Sequence, residues 1–182
     1  RGGARVLLVD RARFPRDKLC GDTVNPGTLA MLRRLGMSAH LEANGLPIDG
    51  MMVTGEDGVS VESHYPSGLQ GRALVRRDFD GGLLACAMDA GAQLEPSTTV
   101  RRAAVDDHDN VTGIVVDGPG GPRTIVARAV IAADGRHSAI AFGLGLARHP
   151  VQPRRWAIGA YFDNVSGMRG LGEMHVRAAA YV

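Results

Sequence analysis

A continuous apolar run that ends in an acidic residue limits the folds that this chain can adopt. Residues 129–133 (AVIAA) are followed directly by Asp134 and Gly135. Such a run is typical of a strand buried on both faces of a parallel sheet. An Asp at the carboxyl end of that strand lies where α/β sheets bind ligands, and Gly lets the backbone approach a ligand closely. A plain turn followed by a capped helix explains the same residues, so both interpretations stay open.

A second apolar run, RVLLV at residues 5–9, ends in Asp10. A buried strand that ends in a carboxylate is half of a dinucleotide-binding pattern, because the carboxylate accepts hydrogen bonds from the adenosine ribose. The other half is a glycine-rich turn about 20 residues upstream, where a helix N-terminus holds the pyrophosphate. The sequence contains no GxGxxG. Taken alone, Asp10 is therefore better explained as an ordinary strand end.

Local signals predict a mixed α/β chain around these two runs. Asn25 as N-cap, Pro26 at the first helical position and Gly36 as the stop predict one helix. A second helix is predicted from about residue 78 to residue 90, where apolar residues recur at helical spacing. The predicted strands are 50–54, 59–65, a meander of 100–105, 111–118 and 123–128, and then 156–163 and 173–182.

Composition excludes some classes of protein. The 21 Lys and Arg residues nearly balance the 19 Asp and Glu residues, which gives no argument for nucleic-acid binding. Cys20 and Cys86 are far apart and show neither a disulfide framework nor metal-ligand spacing, so we predict no metal site and a reducing, cytoplasmic location. No run approaches the ~18 apolar residues of a membrane span, and no signal peptide is visible.

Together these stretches resemble the flavin-dependent oxidoreductases of the p-hydroxybenzoate hydroxylase superfamily, and most closely its geranylgeranyl reductase-like branch. The resemblance implies an α/β fold, namely a partial FAD-binding Rossmann-like domain of the glutathione reductase type with a β-meander insertion, plus part of a β-rich substrate domain. The implied FAD-binding segments are 1–49 and 76–149, and the implied substrate-domain segments are 50–75 and 150–182. The resemblance is carried by FPRDKLCGDTVNPGTLAMLRRLG (14–36), LVRRDFDGGLLACAMDAGAQL (74–94), ARAVIAADGRHSAI (127–140), PRRWAIGAYF (153–162) and GEMHV (172–176).

The resemblance also implies roles for individual residues. Asp10 would bind the adenosine ribose of FAD, and Arg76 would contact FAD near its phosphates. Each role has a plainer alternative, since an arginine or lysine here could be solvated and a free Cys packs like a small hydrophobe. Lys18 would lie close to the cofactor, and Cys20, Gly21 and Asp22 would lie near the isoalloxazine ring. Cys20 is the candidate catalytic residue. Asp134 and Gly135 would line the flavin site.

Several family features are missing from the sequence. The N-terminal GxGxxG and a C-terminal Gly-Asp motif are absent, and Ala141 stands where the family usually has Arg. The chain also starts at Arg1 and not at Met. We therefore expect it to be an internal fragment that by itself is inactive and binds FAD poorly.

The implied function is that of an FAD-dependent oxidoreductase with NAD(P)H as the usual reductant. The branch points to reduction of isoprenoid-type double bonds in a small hydrophobic substrate, with peripheral membrane contact if that substrate is a prenyl lipid. Aromatic hydroxylation, monooxygenation or halogenation is the alternative within the superfamily. A nicotinamide-binding Rossmann dehydrogenase or methyltransferase and a non-catalytic binding module are alternatives from other classes. The predicted meander argues against a plain Rossmann sheet, which has a helix in that crossover.

Overall fold

The computed structural model describes residues 3–151, 157–178 and 180–181, in which helices and strands alternate along the chain. The α-helices are α1 (Pro26–Leu35), α2 (Ala39–Asn44), α3 (Arg76–Asp89) and α4 (Ala139–Gly143). The strands are β1 (Leu7–Val9), β2 (Thr23–Val24), β3 (Leu46–Ile48), β4 (Gly50–Thr54), β5 (Ser60–His64), β6 (Gly71–Ala73), β7 (Gln93–Glu95), β8 (Thr99–Val105), β9 (Val111–Gly118), β10 (Gly121–Val126), β11 (Leu171–Arg177) and β12 (Ala180–Tyr181). The mixed α/β class predicted from the sequence is confirmed.

The chain divides into two units. The first unit comprises Arg1–Phe14 and Ala87–Ala157, and the second comprises Pro15–Cys86 and Ile158–Val182. The assignment of segments to an FAD-binding domain and a substrate domain stays a prediction. Within the described residues, no helix combines the length and the apolar character that a membrane span requires.

In the first unit, β1 pairs in parallel with β7, with Leu7 opposite Gln93 and Val9 opposite Glu95. The strand after α3 was not predicted, because β7 has only three residues. The prediction that the apolar run at residues 5–9 is a strand buried on both faces is wrong, since Leu7 is 41% exposed. Burial on both faces requires strands on either side and layers above and below. Among the described residues, β1 has β7 as its ladder partner and no second one.

The predicted meander is confirmed in the same unit. Strands β8, β9 and β10 form an antiparallel sheet in the spatial order β10-β9-β8. Within β9, Val116 is fully buried. The turn between β9 and β10 uses Gly121 at φ +82°, a conformation that glycine adopts without strain.

The strand predicted at residues 129–133 is wrong. These residues run without a ladder partner into a 3₁₀ turn at Gly135–His137 and then into α4. Ile131 is 90% exposed. An apolar run becomes a strand only where another strand pairs with its backbone groups, and in the described part of the chain none pairs with this one.

In the second unit the local helix signals are confirmed. The Asn25 side chain accepts a hydrogen bond from the Thr28 amide at 2.9 Å, and Pro26 opens α1. Gly36 ends the helix at φ +67°. The helix buries Leu29 in a small apolar core. The other members of this core are Val24, Leu32 and Leu41, with Met37, Leu74, Phe79 and Leu83 packed against them.

Two sheets complete the second unit, in the orders β12-β11-β4-β5 and β2-β6-β3. Strands β4 and β5 confirm the strands predicted at 50–54 and 59–65. Strands β11 and β12 confirm most of the strand predicted at 173–182. Residues 179 and 182 of that prediction lie outside the described residues. The strand predicted at 156–163 is wrong over 157–163, where Ile158 is 99% exposed and no ladder forms. Its residue 156 lies outside the described residues. Apolar residues with no facing strand again account for the failure.

Candidate functional site

A turn before β2 brings three of the predicted site residues to the start of α3. Asp22 adopts φ +51°, and its main-chain oxygen accepts a hydrogen bond from the Leu74 amide at 2.8 Å. Its carboxylate Oδ1 accepts from the Arg76 amide at 3.2 Å. An acidic group at a helix N-terminus is stabilised by the unpaired amides and the helix dipole. These bonds place the turn of Cys20, Gly21 and Asp22 against the first residue of α3.

Arg76 is held in one orientation by Asp80. The Arg76 Nε donates to Asp80 Oδ1 at 2.9 Å, and its Nη2 donates to Asp80 Oδ2 at 2.8 Å. Arg16 adds an ion pair from Nη1 to the same Oδ2 at 2.9 Å. The three side chains are largely buried, with exposures of 22% for each arginine and 11% for Asp80. The alternative that Arg76 is only a solvated surface charge is therefore disfavoured.

The Cys20 thiol is exposed. The backbone amide of Asp22 and then the Arg76 side chain lower the pKa of the thiol, because both stabilise the thiolate. Exposure and these two partners contradict the alternative that Cys20 is a buried packing residue. The arrangement gives Cys20 a more acidic and more easily ionised thiol than an ordinary cysteine.

We expect Cys20 to react with iodoacetamide at a lower pH than an ordinary thiol does. The thiolate is the reactive form, so the pH at which the rate is half-maximal should lie below the pKa of an ordinary cysteine, which is about 8.5. The measurement is a pH series of alkylation rates followed by mass spectrometry, in a Cys86→Ala background. Arg76→Ala should move the midpoint upward, although not fully, since the Asp22 amide remains. A midpoint at or above that of an ordinary cysteine, about 8.5, in the unmodified site would contradict this geometry.

Tyr161 joins the same cluster from a distant part of the second unit. Its hydroxyl donates to Asp22 Oδ2 at 2.7 Å across a separation of 139 residues. The Asp22 carboxylate that accepts this hydrogen raises the pKa of the phenol. Asp22 therefore connects the helix start to a tyrosine that remains 66% exposed.

Lys18 and Gly21 lie in the same segment as Cys20 and are exposed. A Cβ at Gly21 would meet open space, so packing in the described structure does not require glycine there. The roles of both residues toward the cofactor stay predictions.

In the first unit, Asp10 follows the carboxyl end of β1. Its Oδ1 accepts from the Ala12 amide at 2.8 Å, which closes a short turn. Its amide donates to the Glu95 carbonyl at 3.2 Å and its carbonyl accepts from the Thr98 amide at 3.0 Å. Asp10 is half-buried at a strand end, which is the position the dinucleotide pattern requires.

A cavity of about 540 Å³ lies in the first unit beside these residues. Arg13 lines it and donates from Nε to the Ser97 hydroxyl at 2.9 Å. An ion pair between Arg123 and Glu95 forms another part of the lining. The cavity therefore offers charged groups and hydrogen-bonding partners close to the end of β1.

Asp134 and Gly135 form a turn. Asp134 Oδ2 accepts from the Ala139 amide at 2.9 Å, and Gly135 has φ +83°. The Ser138 hydroxyl caps α4 by accepting from the Ala141 amide at 3.0 Å. The turn interpretation is thus present in the structure, and a role of these residues at the flavin stays a prediction.

The sequence interpretation missed Arg16, Asp80 and Tyr161. The four-residue spacing between Arg76 and Asp80 is the spacing of helical ion pairs and could have predicted that contact. No local signal predicts that Arg16 or Tyr161 joins the cluster, because each comes from a loop far from α3 in sequence.

Comparison with known proteins decides the family of this chain. The FAD binding domain family matches residues 1–166. This chain belongs to the FAD binding domain family. It is 33% identical over 156 residues to the menaquinone reductase of Mycolicibacterium smegmatis, covering 82% of this chain and 36% of that protein. It is 37% identical over 152 residues to digeranylgeranylglycerophospholipid reductase 1 of Methanopyrus kandleri, covering 79% of this chain and 36% of that protein.

A solved structure adds a different chemistry to the comparison. CmlS, a flavin-dependent halogenase, matches with a TM-score of 0.67 and 27% identity, covering 79% of this chain and 27% of that one. The predicted FAD-binding fold class is therefore confirmed. This FAD-binding chain spans only about a third of the length of the relatives it matches, at 36% in both curated cases.

The residues present fit FAD in each unit taken by itself. In the first unit, Asp10 supplies the strand-end carboxylate that an adenosine ribose uses. In the second unit, Arg76 supplies a fixed guanidinium, which matches phosphate oxygens in a planar, two-bonded geometry. Cys20 and Asp22 supply polar groups of the kind found around a reacting flavin.

Proposed function

We propose that the full-length protein is an FAD-dependent reductase that saturates carbon–carbon double bonds in an isoprenoid-type, lipid-soluble substrate. The match of residues 1–166 to the FAD binding domain carries the proposal. The choice of reductase is supported by the relatives named menaquinone reductase and digeranylgeranylglycerophospholipid reductase, at 33% and 37% identity. We further propose NAD(P)H as the reductant.

Saturation of a double bond requires two electrons and two protons. FAD, when bound, supplies the electron transfer. The group on this chain best suited to deliver a proton is the Cys20 Sγ–H, because its pKa is lowered by the Asp22 amide and by Arg76. After transfer, the same two groups stabilise the thiolate that remains. Arg76 stays in place for this task because Asp80 binds it through two hydrogen bonds.

Apolar surface next to Cys20 suits a hydrophobic substrate. Leu19 precedes the cysteine and is 54% exposed. The Leu19 side chain lies directly against Gly159, leaving no space for a Cβ there. Ile158 and Phe162 in the same segment are also largely exposed. We infer that this surface contacts an apolar part of the substrate, and that a prenyl-lipid substrate brings the protein into peripheral contact with a membrane.

We also infer a cytoplasmic location. This inference is supported by Cys20 and Cys86, which are both free thiols. Disulfides are rare in reducing compartments, so unpaired cysteines are the ordinary condition there.

Halogenation or hydroxylation of an aromatic substrate is the second candidate function. The similarity to the flavin-dependent halogenase CmlS at 27% identity favours it. The nicotinamide-binding dehydrogenase and the non-catalytic module considered from the sequence have no comparable support.

The test is a single-turnover experiment with the flavin-bound, full-length protein. We expect anaerobically reduced flavin to be reoxidised by a prenylated quinone. After the product is returned to its quinone form in air, mass spectrometry should still show two added hydrogens, located in the prenyl chain. Cys20→Ser should slow this step about tenfold or more, with flavin content nearly unchanged, because a serine hydroxyl is a much weaker acid. Reoxidation only by oxygen, with a halogenated or hydroxylated aromatic product, would instead support the second candidate.

A further inference from the structure

We propose that Tyr161 is a positioning residue, which holds the Cys20 thiol in its place through Asp22. The proposal rests on the proposed function only for the task of the thiol, which is to deliver a proton to the substrate. Neither the sequence patterns nor the family resemblance assigned a role to Tyr161.

Two contacts from one segment flank Cys20. On one side, the Leu19 side chain lies directly against Gly159. On the other side, the Tyr161 hydroxyl donates to Asp22 Oδ2 at 2.7 Å. Gly159 and Tyr161 are two residues apart, and both belong to the same unit as Cys20. This segment therefore holds the stretch around the cysteine at both of its ends.

Asp22 gains from this support because its backbone lies in the left-handed region, at φ +51°. A residue other than glycine persists there when its surroundings hold it. The Leu74 amide donates to the Asp22 carbonyl at 2.8 Å, and the Arg76 amide donates to Oδ1 at 3.2 Å. Tyr161 binds the second carboxylate oxygen. The result matters for Cys20, because the Asp22 amide is the group that stabilises its thiolate most.

The Tyr161 hydroxyl also acts on the charge beside the thiol. The Asp22 carboxylate disfavours a second negative charge nearby, and a hydroxyl that points its hydrogen at Oδ2 offsets part of that effect. The charged groups that surround the thiol and the phenol are Arg76, Asp22 and Asp17, with Asp80 and Arg16 behind Arg76. Removal of the hydroxyl should therefore disfavour the thiolate, both through charge and through a less ordered turn.

Tyr161 keeps its proton over the pH range in which Cys20 ionises. The Asp22 carboxylate that accepts its hydrogen raises the pKa of the phenol. The Asp22 amide and then Arg76 lower the pKa of the thiol. Since an ordinary phenol already titrates above an ordinary thiol, Tyr161 remains a hydrogen-bond donor while Cys20 loses its proton.

The experiment measures the midpoint of Cys20 alkylation, which is the pH at which iodoacetamide reacts at half its maximal rate. It uses the flavin-bound, full-length protein with the Cys86→Ala substitution, and mass spectrometry follows Cys20. Tyr161→Phe removes the hydroxyl and keeps the ring. Tyr65→Phe is the matched control, because it removes a phenolic hydroxyl from the same unit outside this cluster. Single-turnover saturation of a prenylated quinone at neutral pH and thermal melting are recorded for both variants.

We expect Tyr161→Phe to raise the midpoint by about half a pH unit. It should slow saturation of the prenyl chain about fivefold, because the acid is weaker and less well placed. The quinone concentration that gives half the maximal rate should not change, and Tyr65→Phe should change neither the midpoint nor the rate. An unchanged midpoint for Tyr161→Phe would overturn the proposal. Slower saturation with that unchanged midpoint would mean that the hydroxyl meets the substrate directly, and an unchanged rate would mean that it only ties two segments together.

Cys20→Ser separates this proposal from the proposed function. If Tyr161→Phe leaves the midpoint unchanged and Cys20→Ser slows saturation, the positioning role is wrong and the acid role of Cys20 stands. If Tyr161→Phe raises the midpoint and Cys20→Ser does not slow saturation, Tyr161 positions the thiol and the acid role of Cys20 is wrong.

Discussion

The Asp10→Ala variant of the full-length protein is expected to bind FAD about a hundredfold more weakly than the wild type. A carboxylate that accepts from ribose hydroxyls makes charge-assisted hydrogen bonds worth about 1.5–3 kcal/mol each, and one factor of ten corresponds to ~1.4 kcal/mol. The position of Asp10 at the end of β1, fixed by the Glu95 and Thr98 backbone, supports this role. The measurement is a fluorescence titration of the apo-protein with FAD.

Two control variants separate ligand binding from local structure. Asp10→Glu keeps the carboxylate and should retain most of the affinity. Asp10→Asn keeps an oxygen for the Ala12 amide, which Asp10 now binds at 2.8 Å, but loses the charge. It should therefore fold normally and bind FAD weakly. If Asp10→Asn binds FAD as well as the wild type does, the carboxylate has no role in holding the cofactor.

The Gly113→Ala variant is expected to lose about 3 kcal/mol of stability in the meander, at the upper end of the cost of overpacking. A Cβ at this position would overlap the Ile125 carbonyl oxygen and lie 3.0 Å from Val126 Cα. Both obstacles are backbone atoms of the paired strand β10, with Gly113 opposite Val126 in the ladder. The strands can separate only by breaking their hydrogen bonds.

Gly120→Ala is the matched control for this prediction. It lies in the turn between the same two strands, where the nearest obstacle to a Cβ is an Arg123 side-chain nitrogen at 3.9 Å. Thermal melting of the full-length protein should show a clear decrease in Tm for Gly113→Ala and almost none for Gly120→Ala. Equal melting temperatures would show that the meander tolerates the added methyl group and that its packing has been misjudged.

The parts of the fold that were predicted correctly depend on short-range chemistry. Asn25, Pro26 and Gly36 define α1 because each acts on backbone groups within four residues of itself. The meander was predictable because strands joined by short turns pair with their neighbours in sequence. The strand predictions at 129–133 and 156–163 failed for the opposite reason. An apolar run indicates a tendency to be buried, but whether a ladder forms depends on a partner elsewhere in the chain.

The contacts of the candidate site also divide into those that short-range sequence spacing predicts and those that depend on tertiary structure. Asp80 stands four residues after Arg76 on one helix, so their ion pair was accessible to sequence reasoning. Arg16 and Tyr161 reach the cluster through tertiary structure, and Tyr161 does so across 139 residues. The family resemblance indicated Cys20, Asp22 and Arg76 as site residues, and the structure brings these three together. Their contacts with FAD stay a prediction.

The identity of the flavin in the purified full-length protein decides whether the proposed FAD chemistry is right. We predict a yellow protein with flavin absorbance, from which denaturation releases FAD and not FMN, in a ratio near one flavin per chain. Apo-protein should recover that absorbance when FAD is added. A protein that carries no flavin and binds none when FAD is added, or one that carries only FMN, would contradict the account.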